Sequence, residues 1–346
     1  MSWRKNLKGL SERIDNMSQE RETGHFGKKR PLIILTGPTA VGKTALSIQL
    51  AKAIGGEIIS ADSMQVYRGM DIGSAKVTAE EMKGVPHHLI DVLEPEEDFN
   101  VVLFQQMAKE AMEKIYSRGH IPVIAGGTGF YIQALLYDID FKENEEGNAV
   151  REELEQIARN QGVHALHEML EAADPKSAAA IHENNVKRVI RALEYYRQTG
   201  EKISSHNEEE RLKESPYNFL YYVVNTDRKL LYERIDRRVD LMMENGLEEE
   251  VRSLKKRGMK QGMVSMQGLG YKEILNYLDG NCSLEEAVYI LKRDTRHFAK
   301  RQLTWFRRER DVCWLNLPEF GNDLEQVKEK IINDCREKGI LPAAVI

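Results

Sequence analysis

No run in the 346 residues approaches the roughly 18 apolar residues that a membrane span needs. The opening stretch, MSWRKNLKGLSERIDNMSQERETGHFGKKR, has no apolar core of the kind a secretory signal carries. No secretion is therefore expected, and the protein reads as cytoplasmic. Cysteine is scarce. Cys282, Cys313 and Cys335 stand far apart, form no C-x-x-C pair and have no histidine at zinc-finger spacing. That argues against a disulfide scaffold or a structural zinc site and leaves reduced thiols. A positive excess is missing as well. With 50 Lys and Arg against 55 Asp and Glu, the net charge is −5, so nucleic-acid binding would need a local basic patch. Internal repeats and low-complexity segments are absent too. What remains is a globular composition, 41% apolar and 30% charged, long enough for two domains or for one with a large insertion.

The organising stretch runs from Pro31 to Ala53. PLIILT (Pro31–Thr36) predicts a buried strand, and Leu46, Ile48, Leu50, Ala51 and Ile54 predict a helix stopped by Gly55-Gly56. Between them lies GPTAVGKT, that is Gly37, Pro38, Thr39, Ala40, Val41, Gly42, Lys43 and Thr44. It fits the nucleotide-binding P-loop pattern at every fixed position. Such a loop turns backbone N–H groups toward phosphate oxygens at a positive helix end. Lys43 adds a point charge, and Thr44 can offer a hydroxyl to Mg²⁺. The loop does not say whose phosphates it holds.

Glu57–Ser60 predicts a second strand, and Asp62 follows it. An acid just past a strand's carboxyl end lies on the edge where α/β proteins bind ligands, so Asp62 is a candidate general base; a helix N-cap is the alternative. His88–Val92 predicts a third strand, and Phe99–Ser117 a helix capped by Asp98. Ile121–Ala125 predicts a strand entering Gly126-Gly127-Thr128-Gly129. There Thr128 either presents its hydroxyl beside Asp62 or simply turns the chain into the helix Phe130–Leu136.

From Asp138 the sequence becomes helical, charged and poor in strands. Helices are expected over residues 149–160, 163–172 and 185–199, as an insertion spanning 138–210. The core is expected at 30–137 and 211–330, after a polar tail at 1–29. A helix end and tail are expected at 331–346. Lys187, Arg188 and Arg191 on the last insertion helix are either a solvated face or phosphate contacts. The core resumes with a strand at Phe219–Asn225. Asp227 then caps a helix carrying Arg234, Arg237 and Arg238. Residues 292–310 hold eight Lys or Arg against two acids, with Phe298, Trp305 and Phe306 interleaved. That mixture suits tracking and stacking on nucleic acid, or an amphipathic helix with inward aromatics, or both.

Taken in order, GPTAVGKT, ADSMQVYRGMDIGSAK (Ala61–Lys76), PHHLID (Pro86–Asp91), IPVIAGGTGFY (Ile121–Tyr131), VKRVIRALE (Val186–Glu194), GLGYKE (Gly268–Glu273) and RHFAKRQLTWFRR (Arg296–Arg308) resemble the bacterial tRNA dimethylallyltransferases. The resemblance covers about residues 30 to 316. The P-loop is widespread; DSMQVYRGMDIG and AKRQLTWFR are specific to this family.

The resemblance implies a P-loop kinase-like α/β core with a parallel sheet and an all-helical insertion. It implies transfer of a dimethylallyl group from its diphosphate to N6 of adenine 37 of tRNA, next to the anticodon, with Mg²⁺ as cofactor and a monomer as the working unit. The P-loop then holds the isoprenoid diphosphate rather than ATP. Asp62 resembles the family's base and Thr128 a residue that holds the reacting groups. Lys43, Thr44 and Arg234 or Arg238 fall to the leaving diphosphate. Asp62, Ser63, Met64 and Gln65, with Thr128, resemble contacts to the adenine. Lys187, Arg188, Arg191, Lys300, Arg301, Gln302, Trp305 and Arg307 resemble tRNA contacts, and Gly268 to Tyr271 a further contact loop. A small-molecule kinase leaves the basic helix idle, and an RNA-binding NTPase leaves Asp62 idle. A free-nucleotide prenyltransferase leaves the insertion without a task.

Overall fold

The computed structural model of the chain describes residues 29–141 and 149–343, and the described residues from Pro31 onward belong to one compact unit. The tail expected at 1–29 lies, save its last residue, outside that description, as do residues 142–148 and 344–346. Six strands, β1 (Arg30–Thr36), β2 (Gly56–Ala61), β3 (His87–His88), β4 (Ile121–Gly126), β5 (Tyr217–Asn225) and β6 (Val312–Asn316), form one sheet in the order β3-β2-β4-β1-β5-β6. The β2–β3, β2–β4, β1–β4 and β5–β6 pairings are parallel. Helices cover both faces, so β1 reads as an unbroken apolar run rather than an alternation.

The helices are α1 (Lys43–Ile54), α2 (Ala79–Met82), α3 (Val101–Ser117), α4 (Gly129–Leu136), α5 (Ala149–Ala173), α6 (Pro175–Ala180), α7 (Val186–Thr199), α8 (Ile203–Leu212), α9 (Arg228–Glu244), α10 (Leu247–Lys256), α11 (Tyr271–Leu278), α12 (Leu284–Phe306) and α13 (Leu324–Glu337). Leu32 and Ile34 of β1 join one core cluster with Phe104, Ala108 and Met112 of α3. Ile33 and Leu35 point the other way, to Leu46 and Leu50 of α1 and Ile331 of α13. Each such buried side chain contributes roughly 1.5–3 kcal/mol, so β1 is a firmly held strand from which to hang a loop. Register then places the site. Thr36 and Ala61 both lie opposite Gly126, so β1, β4 and β2 end on one level.

Helices α5 to α8 stand between α4 and β5 and share their own apolar cluster, including Leu154, Leu166, Leu170, Val189 and Leu193. Gly162, at φ 92°, breaks α5 where two helices are expected. Asp174 is buried and accepts from the N–H groups of Ser177 and Ser204 at 3.1 and 3.0 Å, which ties α6 to α8.

Two expectations need correction. The third strand is only His87–His88. Leu89 and Asp91 adopt φ 63° and 52°, so the apolar HLIDV run turns instead of extending. Asn100, not Asp98, caps α3, accepting from Leu103 N–H at 3.0 Å. Helix α13 runs from Leu324 to Glu337, so its end falls within residues 331–346. Asp227 caps α9 as expected, and Ser283 caps α12.

Candidate active site

The loop after β1 turns at Ala40 (φ 63°) and Gly42 (φ 103°) and enters α1 with no side chain capping the helix. The first amides of α1 are thus left for a ligand. Lys43 folds back over the loop, its Nζ donating to the carbonyls of Gly37 and Pro38 at 2.9 and 2.7 Å. A cavity of about 440 Å³ opens beside it. Thr39, Lys43, Thr44, Asp62, Gly127 and Arg238 are among its walls. Thr44 makes no hydrogen bond through its hydroxyl among the described residues.

Asp62 follows the end of β2. No helix starts there, so it caps a turn instead, with Oδ1 accepting from Met64 N–H at 2.8 Å. Burial raises its pKa above the ordinary carboxylate value. The Met64 and Gln65 amides and the charges of Lys43 and Arg238 oppose that rise. Burial likewise brings Lys43 down to about 7, helped by Arg238 and opposed by Asp62. Arg238 is lowered by burial too, against the pull of Asp62 and Glu81. Among the charged groups lining the cavity, Asp62, Lys43 and Arg238 carry charges that burial makes costly and that an anionic ligand would favour on the two cations. That is the electrostatic character of a site for a strongly anionic ligand beside a base.

Thr128 begins α4. Its N–H donates to Ala61 O at 3.2 Å, which ties the loop after β4 to the residue before Asp62. Thr128 itself is not among the lining residues, and of the two arginines only Arg238 is. Ser63 is half-buried. The Met64 thioether lies against Gly268. Gln65 lines the cavity and donates to Ala75 O at 3.3 Å, so it also shapes the wall.

Helix α12 runs along the rim. Lys300, Arg301, Arg307 and Arg308 are exposed, and Arg301 lies over the Phe298 ring at 5.7 Å. Phe298 lines the cavity. Phe306 is fully buried, while Trp305 is half-buried and meets Phe130 edge-on at 6.3 Å. The basic stretch is smaller than its sequence suggests. Lys292 pairs with Asp240 at 2.5 Å, and Arg296 pairs with Asp236. On α7, Lys187 and Arg188 are exposed, while Arg191 reaches Glu194 at 4.0 Å.

Two residues expected to touch RNA have other tasks. Tyr271 is 0% exposed, and its hydroxyl accepts from Ser74 N–H at 3.1 Å and donates to Glu250 at 2.8 Å. Gln302 is 6% exposed and bridges two loops of the site. Gly268 is buried as well. Sequence reasoning missed Glu250. Its carboxylate accepts from the N–H groups of Asp71, Ile72 and Gly73 at 2.9, 2.8 and 3.1 Å, and no local pattern marks it.

A family profile described as IPP transferase matches residues 65–309, and one described as isopentenyl transferase matches residues 31–94. The chain is 62% identical over 302 residues to a tRNA dimethylallyltransferase of Lachnoclostridium phytofermentans, covering 87% of this chain and 96% of that one. It is 52% identical over 304 residues to a tRNA dimethylallyltransferase of Carboxydothermus hydrogenoformans, covering 88% and 97%. Among solved structures, a tRNA isopentenylpyrophosphate transferase from Bacillus halodurans superposes with a TM-score of 0.68 at 46% identity, covering 90% of this chain and 98% of that one. A eukaryotic dimethylallyltransferase described as acting on tRNA superposes with a TM-score of 0.73 at 30% identity, covering 88% and 79%.

Proposed function

The chain belongs to the tRNA dimethylallyltransferase family, and we propose that it transfers a dimethylallyl group from dimethylallyl diphosphate to N6 of the adenine at position 37 of tRNA. The observation that carries this reading is one cavity that joins an uncapped P-loop helix and Lys43 to Asp62, with an exposed basic face on the helix at its rim.

The adenine amine is a poor nucleophile, because its lone pair is delocalised into the ring. The allylic carbon becomes a good electrophile as the C–O bond to diphosphate stretches. The new N6–C bond forms as that C–O bond breaks, and Asp62 takes the N6 proton. A base so placed contributes ~10²–10⁴-fold. The electron pair of the broken bond stays on the diphosphate. The first amides of α1, Lys43 and Arg238 stabilise its developing charge, with about 3 kcal/mol at stake per donor. The loop carrying Thr128 limits where the adenine can stand relative to Asp62.

Magnesium fits the donor set. Thr44 offers one hard oxygen at the cavity wall, and no group of three or more His, Cys, Asp or Glu able to hold a metal occurs among the described residues. Thr44 would hold such a cation, with diphosphate and water as its further ligands, and the cation would neutralise charge on the leaving group. Position 37 lies in a single-stranded loop, from which a base is extracted at lower cost than from a duplex. Lys300, Arg301 and Arg307 supply phosphate contacts, with Lys187 and Arg188 on the insertion at residues 138–210. The reading takes a monomer in the cytoplasm as the working form. No helix among the described residues is long and apolar enough to cross a membrane.

The test is transfer of label from dimethylallyl diphosphate to unmodified tRNA in the presence of Mg²⁺. The reading requires label in the RNA that disappears when adenine 37 is replaced by guanine. Unlabelled RNA, with phosphate moved from ATP to a small molecule in a parallel reaction, overturns it in favour of a kinase.

A further inference from the structure

Helix α12 turns Gln302 away from its exposed cations and into the gap between two loops of the site. The side-chain Oε1 accepts from Thr39 N–H of the P-loop at 2.9 Å, and Nε2 donates to Gly127 O at 2.9 Å. The amide's orientation is fixed by its partners, since Thr39 N–H can only donate and Gly127 O can only accept. The bridge also explains why residue 127 is glycine. A Cβ there would stand 2.2 Å from Gln302 Nε2. One turn further along α12, the Trp305 ring fills the corresponding space at Gly129, 2.2 Å from where a Cβ would be. The loop carrying Thr128 is therefore gripped at the residue on either side of it, both times by α12.

We propose that Gln302 is a positioning residue for the transfer reaction: its amide fixes the P-loop and the Thr128 loop at one separation, and it does so from the helix on which the RNA lies. The inference rests on the reading of the cavity as the diphosphate site, and it replaces the expectation that Gln302 contacts tRNA. No other side chain reproduces the bridge. Glutamate keeps the acceptor for Thr39 but sets a carboxylate oxygen against Gly127 O. Methionine has the length and neither polar function, and asparagine falls one methylene short.

The test uses the full chain with Gln302→Met, Gln302→Glu and Gly127→Ala. It measures binding of inorganic pyrophosphate with Mg²⁺, binding of tRNA, kcat and both KM values, all well below the melting temperature. Gln302→Met is expected to weaken pyrophosphate about tenfold and to lower kcat, with tRNA affinity unchanged. Gln302→Glu should lose kcat as well, because half the bridge is replaced by repulsion. Gly127→Ala should reproduce the defect in wild type and cost less on a Gln302→Ala background, where the space is free. Weaker tRNA binding with unchanged pyrophosphate binding makes Gln302 an RNA ligand and overturns the proposal. A lower melting temperature with every constant unchanged reduces it to packing and overturns it too. If Gln302→Met weakens pyrophosphate but wild type labels no RNA, the bridge stands and the transfer reading falls. If wild type binds no pyrophosphate, both fall.

Discussion

The ring of Tyr271 packs so closely on Gly73 that a Cβ on the glycine would fall 2.6 Å from the tyrosine Cζ. Its hydroxyl joins Ser74 N–H to Glu250, and Glu250 gathers three more amides of the same turn. The stretch that begins at Asp62 and lines the cavity again at Ser74 and Ala75 is thus moored to α10 and α11. Tyr271→Phe keeps the ring and strands those partners. Urea unfolding should register a loss of ~1–3 kcal/mol, with tRNA affinity unchanged. Weakened tRNA binding at full stability would return Tyr271 to the RNA surface.

Asp62→Asn preserves an oxygen for the Met64 N–H and removes only the proposed base. Turnover is expected to fall ~10²–10⁴-fold while pyrophosphate binding persists. In wild type, kcat/KM should rise with pH along a limb above the ordinary carboxylate range, because burial raises the Asp62 pKa. The variant should lack that limb. A variant retaining more than about a tenth of the wild-type rate excludes Asp62 as the base.

Burial and the nearby Arg238 bring Lys43 down to about 7, against the pull of Asp62. A bound diphosphate favours its charged form. Binding of dimethylallyl diphosphate should therefore take up protons above pH 7 and weaken by up to about tenfold per pH unit. Calorimetry in buffers of different ionisation enthalpy measures that uptake. Lys43→Gln should bind weakly and without this pH dependence. Equal wild-type affinity from pH 7 to 9 contradicts the assignment.

Arg301 on α12 and Arg307 at its C-terminal cap are exposed, beyond the residues that α9 neutralises. Replacing either by Ala should lower tRNA affinity and reduce the slope of log K against log salt by about 0.7–0.9. Superimposable salt series for wild type and both variants would remove these residues from the RNA interface.

Glu57 lies at the opposite end of β2 from Asp62, with its side chain 1% exposed. Burial pushes its pKa up, but hydrogen bonds from His88, His120 and Arg118 outweigh that and hold it at about 2, below the ordinary 4.5. A carboxylate lowered on folding adds stability in full above its unfolded pKa. That contribution fades as pH falls from about 4.5 to about 2. Glu57→Gln should cost ~3 kcal/mol at pH 7, flatten the acid limb of stability and leave kcat unchanged. Urea titrations at pH 7 and pH 3 separate these outcomes; equal losses at both contradict the assignment.

What the sequence made legible was local. Pro31 to Ala53 combines an apolar run, a phosphate-loop pattern and helical spacing, and each fixes the next. Asp227 announces its helix for the same reason. His88–Val92 misled because an apolar run records burial, not backbone angle: Leu89 is buried but turns left-handed. Asp98 and Asn100 are both acceptable caps, and only the fold selects Asn100. The tasks of Tyr271 and Gln302 depend on partners 197 and 263 residues away, beyond any window of local pattern. The pairing of Lys292 and Arg296 with acids of α9 was hidden likewise, and it shrinks the basic patch that composition promised.

Because Thr36, Ala61 and Gly126 end on one rung of the sheet, the accuracy of the site is inherited from hydrogen-bond register rather than from the loops themselves. A slip of β4 by one residue would carry Thr128 about 3.3 Å and turn successive side chains to the opposite face. Variation within the loops can then retune the acceptor or the donor, while changes that loosen strand pairing blur both at once. Engineers seeking a different prenyl donor should redraw the turns and leave the rungs alone.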